Sequence, residues 1–231
     1  MNAIILAAGV GSRLKPLTDV TPKSLIEVQG TPMIERQIEF LKERGVCDIT
    51  VVTGYLAHKF DYLKGKYGIE LVHNEQFADY NNIYSMYLVR EKLSDSFVVD
   101  ADVYLHRNFF PTRIEKSTYF GIYKTDFENE EWVLVYDEAT SKLDQVVVVK
   151  DKFEAGRIMS GVSFWNAKDC GIIRAKLEEA IAKRDFAKMY WDYMVTENLD
   201  VLDVYVEELG DFDVFEIDTL KDLHTLEILL R

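Results

Sequence analysis

Short apolar runs alternate with amphipathic stretches through the first hundred residues. "AIILAA" (3–8) is a continuous apolar run ending in glycine, the pattern of a strand buried on both faces. "PMIERQIEFLKERG" (32–45) puts Ile34, Ile38 and Leu41 on one helical face. Thr31 is its candidate N-cap, Pro32 lies in its first turn and Gly45 ends it. "CDITVVTG" (47–54) predicts a second strand, "LAHKFDYLKGKYG" (56–68) a helix and "IELVHN" (69–74) a third strand. "NIYSMYLVREKL" (82–93) predicts a helix, and "SFVVDADV" (96–103) a fourth strand that ends in acid.

Strand and helix in such close succession imply parallel β-structure with right-handed crossovers. Beyond residue 110 the texture changes. "STYFGIYK" (117–124), "EWVLVY" (131–136), "LDQVVVVK" (143–150) and "GRIMSGVSFW" (156–165) are strand-like, with few helices between them. Helices are predicted at about 167–183 and 188–198, short strands at 202–208 and 214–218, and a closing helix at 219–230 capped by Thr219 or Asp218. The expected fold class is α/β: one domain over residues 1–231 with a Rossmann-like, mostly parallel mixed sheet flanked by helices. A mostly parallel half (about 1–110) carries a smaller mixed β/α half (about 111–231).

Composition narrows the function. The chain has 231 residues, 48% hydrophobic and 29% charged, enough for a sizeable core. Its formal net charge of −13 opposes binding to nucleic acid. It also opposes small anions unless cations gather locally or a metal ion intervenes. Cys47 and Cys170 have no metal-type spacing and are expected to be reduced thiols in a cytoplasmic protein. The first residues, "MNAIILAAG", lack the basic start of a signal peptide, and no apolar run approaches the roughly 18 residues of a membrane helix, so no membrane partner is expected.

Against that acidic background, "ILAAGVGSRLKPLTDVTPKS" (5–24) gathers glycine, serine, arginine and lysine just after the first strand. Gly9 and Gly11 permit positive φ and close approach of backbone N–H groups to a ligand. Arg13 offers a fork of donors suited to phosphate, and Lys23 a point charge set by Pro22. Thr18 and Thr21 can tie the loop to itself. Leu14 breaks the G-x-G-x-x-G spacing, and no G-K-[ST] follows, so neither a dinucleotide fold nor a Walker loop is indicated.

Two acidic strand ends complement the loop. Asp100 and Asp102 in "VVDADVYL" are expected on one face of a strand, at the carboxyl end where ligands bind in such sheets. Glu216 and Asp218 in "FEIDT" repeat the arrangement, although Asp218 could instead cap the last helix. An Asp from each of two strands, with phosphate oxygens and water, suits Mg²⁺. Aromatic residues beside acids in "ENEEWVLVYDE", "SGVSFW" and "KMYWDYMV" suit a quaternary ammonium, which is drawn to ring faces and carboxylates but has no N–H to donate. Asn81 and Asn82 can cap the helix after "ADY". His58, His73, His106 and His224 have no metal spacing, and no serine has a Ser-His-Asp setting.

The loop string G-x-G-S-R-x-x-P-x-T followed by T-P-K-S closely resembles the nucleotidyltransferases that make NDP-sugars and CDP-alcohols. "ADYNNIYSMYLV", "VVDADVYL", "GRIMSGVSFW", "YWDYMV", "DVYVEEL" and "FEIDT" extend the likeness over about residues 2–226, to the bacterial CTP:phosphocholine cytidylyltransferases. The resemblance implies the nucleotide-diphospho-sugar transferase fold, with CTP and phosphocholine as substrates and Mg²⁺ as cofactor. CDP-choline and pyrophosphate would be the products. It implies Lys23, Arg13 and Asp102 as catalytic, and Leu6, Ala8, Gly9, Gly11, Ser12, Arg13, Lys23, Tyr80, Asn82, Ser85 and Asp100 as nucleotide-binding. Asp102, Asp218 and Glu216 would hold the metal. Trp132, Tyr190, Trp191 and Asp192 would hold choline, with Glu128 or Glu130 as further contributors. Ala101 stands where that family often has Gly. A sugar 1-phosphate or phosphoethanolamine as acceptor, or a nucleotide-binding domain without catalysis, are the alternatives.

Overall fold

The chain is described here from a computed structural model, over residues 1–125, 130–150, 155–183 and 186–231. β1 (Asn2–Ala7) is the apolar run predicted near the start, buried along nearly its whole length. Three 3₁₀ turns follow, at Ser12–Leu14, Leu17–Asp19 and Lys23–Leu25. Next come the paired β2 (Glu27–Val28) and β3 (Thr31–Pro32), then α1 (Met33–Glu43), β4 (Ile49–Thr53), α2 (Asp61–Tyr67), β5 (Glu70–His73) and α3 (Asn82–Leu88). β6 (Ser96–Asp100) and β7 (Val103–Leu105) close this portion. The remainder contains β8 (Ser117–Thr125), β9 (Glu131–Tyr136), β10 (Leu143–Val149), β11 (Ala155–Trp165), α4 (Ala167–Lys183), α5 (Tyr193–Thr196), β12 (Val204–Glu208), β13 (Val214–Glu216) and α6 (Leu220–Leu229).

One sheet carries both portions, in the order β10-β9-β11-β6-β1-β4-β5, with β8 paired to β11 and β12 to β8. β6, β1, β4 and β5 are parallel, as their helical crossovers require. β11 runs antiparallel to β6 and welds the later strands to that parallel run. Strand alternation sends Ile5 and Val51 to one face against Ile34, Ile38 and Leu41 of α1. Ile4 and Val52 go to the other face, against Ile83 and Met86 of α3 and Ile173 and Leu177 of α4. The expected α/β class, with helices on both faces of a mixed sheet, is the observed one. A smaller cluster matters more for function: Leu14 of the glycine loop packs with Tyr104, Ile217, Leu223 and Leu226, which pins the loop beside α6.

Three local expectations are corrected. Thr31 does not cap α1, because its backbone pairs with Val28 in the β2–β3 ladder and the N-cap place falls to Pro32. The helix expected at 188–198 shrinks to the single turn of α5, because the preceding segment is anchored by hydrogen bonds from other elements. Asp100 and Asp102 do not share one continuous strand: β6 ends at Asp100, and a turn carries Asp102 before β7 starts. Among the described residues no helix is long and apolar enough to cross a membrane.

Candidate active site

A crevice of about 1230 Å³ opens at the carboxyl ends of β1 and β6. Leu6, Ala8 and Gly9 line it where β1 gives way to the loop, and Asp100 where β6 ends. Gly11 is left-handed (φ 64°), and a Cβ there would stand 2.9 Å from Cβ of Lys23. Glycine is therefore required for the two arms of the loop to close on each other, and the Thr18 hydroxyl fastens them by donating to the Gly11 carbonyl at 2.9 Å. Val10 and Arg13 line the crevice, and Gly11 and exposed Ser12 lie between them in the chain.

The loop delivers Lys23 to the acids. Its Nζ donates to Asp102 Oδ2 at 2.8 Å and to Asp218 Oδ1 at 2.7 Å, and Arg13 Nη2 lies 2.8 Å from the same Asp218 oxygen. Burial disfavours a charged Lys23 ammonium, but the two carboxylates outweigh it and raise its pKa. Burial likewise pushes Asp218 up, and Lys23 and Arg13 reverse that, leaving its carboxyl below the ordinary range. Asp218 is free for this because Thr219 takes the cap of α6, in a reciprocal pair with Asp222. Burial, then the neighbouring acids Asp102, Asp192 and Glu216, push Asp100 well up. Desolvation at the crevice wall, then the Asp102 and Asp218 charges, push Glu216 up as well, although its side chain keeps an exposed edge.

Carboxylate oxygens of Asp102, Glu216 and Asp218 lie within 4.8 Å of one another. This all-oxygen set suits a hard divalent cation such as Mg²⁺. Lys23 and Arg13 pair with Asp102 and Asp218, and a divalent cation would add to the neutralisation of this acidic cluster.

Tyr80, Asn82 and Ser85 also line the crevice. Neither asparagine caps α3 through its side chain. Asn81 Nδ2 donates to the Lys188 carbonyl at 2.8 Å, and Asn82 Oδ1 accepts from the Trp191 N–H at 2.9 Å. Tyr80 packs on Phe186 with ring centroids 4.7 Å apart. Ser85 is buried and accepts from Asn74 Nδ2 at 2.9 Å. Trp132 meets Tyr190 and Tyr193 edge-to-face, with centroids at 5.9 and 4.9 Å. Tyr190 is half-exposed; burial, then the Glu130 charge, raise its hydroxyl, which also feels Arg13 and Asp218. Trp191 is only 2% exposed and packs edge-to-face on Trp165, so it meets the crevice from the core side. Asp192 accepts from the buried Tyr119 hydroxyl at 3.0 Å. Burial raises its carboxyl to about 7, with that hydrogen bond pulling the other way. Glu130 lines the crevice, and Glu128 lies outside the described residues.

The model of the MobA-like NTP transferase domain matches residues 3–116. Over the full 231 residues the chain is 51% identical to the choline-phosphate cytidylyltransferase of Streptococcus pneumoniae, covering 99% of it. The chain belongs to the choline-phosphate cytidylyltransferase family of nucleotidyltransferases. The Haemophilus influenzae choline-phosphate cytidylyltransferase is 41% identical over 226 residues, 97% of this chain and 95% of its own. The solved structure of the Streptococcus pneumoniae CTP:phosphocholine cytidylyltransferase superposes with a TM-score of 0.95 at 49% identity, covering 100% of this chain and 99% of that one.

Several residues of this cytidylyltransferase site escape sequence reasoning. Tyr193 completes the aromatic group; its i+3 spacing from Tyr190 was the available signal. Gly161, left-handed at φ 78°, sits where a Cβ would approach Val103 Cγ2 to 2.7 Å and Asp100 Oδ2 to 3.3 Å. It lets β11, whose register shifts here, pass against the acidic turn. Asn74 and Gln37 act through contacts that no local pattern announces.

Proposed function

We propose that this cytidylyltransferase transfers the cytidylyl group of CTP to phosphocholine, releasing CDP-choline and pyrophosphate. The observation that carries the reading is adjacency: Trp132 and Tyr190 line the same crevice as Arg13, Asp102 and Asp218, and Tyr193 packs edge-to-face on Trp132. Such rings favour trimethylammonium at roughly 0.5–2 kcal/mol each. Asp192 and Glu130 add a long-range attraction that needs no N–H on the ligand.

The phosphocholine phosphate is already anionic near neutral pH, so a direct in-line attack on the α-phosphorus needs no general base. One bond forms from that oxygen to phosphorus, and the bond to the pyrophosphate oxygen breaks with its electron pair. Catalysis is then positioning and charge neutralisation. Arg13 and Lys23 neutralise the α-phosphate and the departing pyrophosphate, while backbone N–H groups at Gly9 and Gly11 cradle the triphosphate. Tyr80, Asn82 and Ser85 border the base and ribose, with Leu6, Ala8, Ser12 and Asp100 completing the nucleotide side. Asp102 and Asp218, with Glu216 beside them, would hold Mg²⁺, which would supply further neutralisation of phosphate charge.

The test is pyrophosphate release from CTP with phosphocholine, phosphoethanolamine and glucose 1-phosphate offered separately. Phosphocholine is expected to give the highest kcat/KM. A preference for phosphoethanolamine or the sugar phosphate would refute the acceptor assignment, and tight CTP binding without turnover on any acceptor would refute catalysis.

A further inference from the structure

Asp102 sits in a two-residue turn between β6 and β7. A turn buried beside a sheet must find partners for its backbone groups. Three come from neighbouring elements. The Ala101 N–H donates to the Leu6 carbonyl of β1 at 3.1 Å, and the Asp102 carbonyl accepts from the Ile217 N–H at 3.3 Å. The carbonyls on either side of the turn, at Asp100 and Val103, both accept from one atom: Nε2 of Gln37, at 3.0 and 2.7 Å.

Gln37 is wholly buried, on the α1 face that otherwise presents Ile34, Ile38 and Leu41 to the sheet. Packing of α1 asks for nothing polar there. Among the described residues its Oε1 has no hydrogen-bond partner, so the amide sits there with one buried acceptor unsatisfied. Such a group is costly unless its donor end meets a need. Here that end bridges the two carbonyls that bracket the Ala101–Asp102 turn.

We propose that Gln37 is a positioning residue. Its amide fixes the turn so that the Asp102 carboxylate faces Asp218 and the metal–triphosphate site. The inference rests on the reading of Asp102 as a metal ligand. Partners behind a metal ligand typically contribute about 10- to 100-fold to metal affinity.

The test measures Mn²⁺ binding to the full chain with CTP by electron paramagnetic resonance, beside steady-state kinetics. Gln37→Met keeps the volume and removes the donor. We expect Mn²⁺ affinity to fall about 10- to 100-fold, kcat to fall with it, and KM for phosphocholine to stay within about twofold, since the aromatic group lies on other elements. A role confined to α1 packing would lower the melting temperature and leave the folded protein's Mn²⁺ affinity intact; that result overturns the proposal. If Gln37→Met does not fold, Gln37→Asn, which keeps an amide but withdraws it by one methylene, carries the same expectation, and wild-type affinity there overturns it. Asp102→Asn separates the two claims. Unchanged affinity in that variant strikes down the ligand reading and Gln37 with it. Loss in Asp102→Asn without loss at Gln37 overturns the Gln37 proposal alone.

Discussion

Replacing Trp132 by alanine removes the ring that touches both tyrosines of the aromatic group. Direct loss of one cation–π contact costs roughly 0.5–2 kcal/mol, the upper end applying where the site excludes water. Trp132 also holds Tyr190 and Tyr193 edge-to-face, and each such pair contributes about 0.5–1.5 kcal/mol beyond burial. Part of that support is lost as the tyrosines relax. Together these give about 2 kcal/mol, or roughly a 30-fold weaker hold on phosphocholine. The assay is pyrophosphate release at saturating CTP with phosphocholine varied, repeated with phosphoethanolamine. KM for phosphocholine should rise about 30-fold while that for CTP moves little. The advantage of phosphocholine over phosphoethanolamine should shrink by a similar factor, because the smaller ammonium keeps its hydrogen bonds to acids. An unchanged KM, or an equal rise for both acceptors, would refute a quaternary-ammonium role for these rings.

Lys23→Ala should lower kcat on the order of 10²- to 10³-fold; since its ammonium also separates Asp102 from Asp218, the variant's melting temperature should rise more with added Mg²⁺ than the wild type's does. Asp192, its carboxyl raised to about 7 by burial, is neutral at pH 6 and charged at pH 8, so choline affinity, read by tryptophan fluorescence, should strengthen as pH rises through that range and lose the step in Asp192→Asn. The same raised value means the folded state holds that proton more tightly than the unfolded chain, so Asp192 withdraws stability as pH climbs from its ordinary value of 3.8 to about 7, and the loss levels off above that. Gly161→Ala should cost about 1–3 kcal/mol by chemical denaturation, since its φ is left-handed and its Cβ would strike Val103; a loss near zero would contradict the close passage of β11.

The features legible in the sequence are those whose cause is local or periodic. The alternation of Ile4 and Ile5 between two helical layers follows from an unbroken apolar strand, and the loop after it declares itself through Gly11, Arg13 and Lys23. Asp218 was ambiguous as a string because Thr219 follows it; only the Thr219–Asp222 pairing decides which residue caps α6. The 188–198 string reads as a longer helix than it forms because Lys188 and Trp191 are held by Asn81 and Asn82, distant in sequence. Gln37 and Gly161 matter through what lies opposite them, the 100–103 turn, which no spacing near either residue encodes.

The central claim is that Asp102 and Asp218 hold one divalent cation against the triphosphate while Lys23 and Arg13 face its phosphates. Crystals grown with Mn²⁺ and CTP measure this directly through anomalous scattering. One peak is expected, bonded to oxygens of both aspartates and of the triphosphate, with Lys23 Nζ against phosphate oxygen. A peak bonded to neither aspartate, or a triphosphate lying away from the glycine loop, would contradict it.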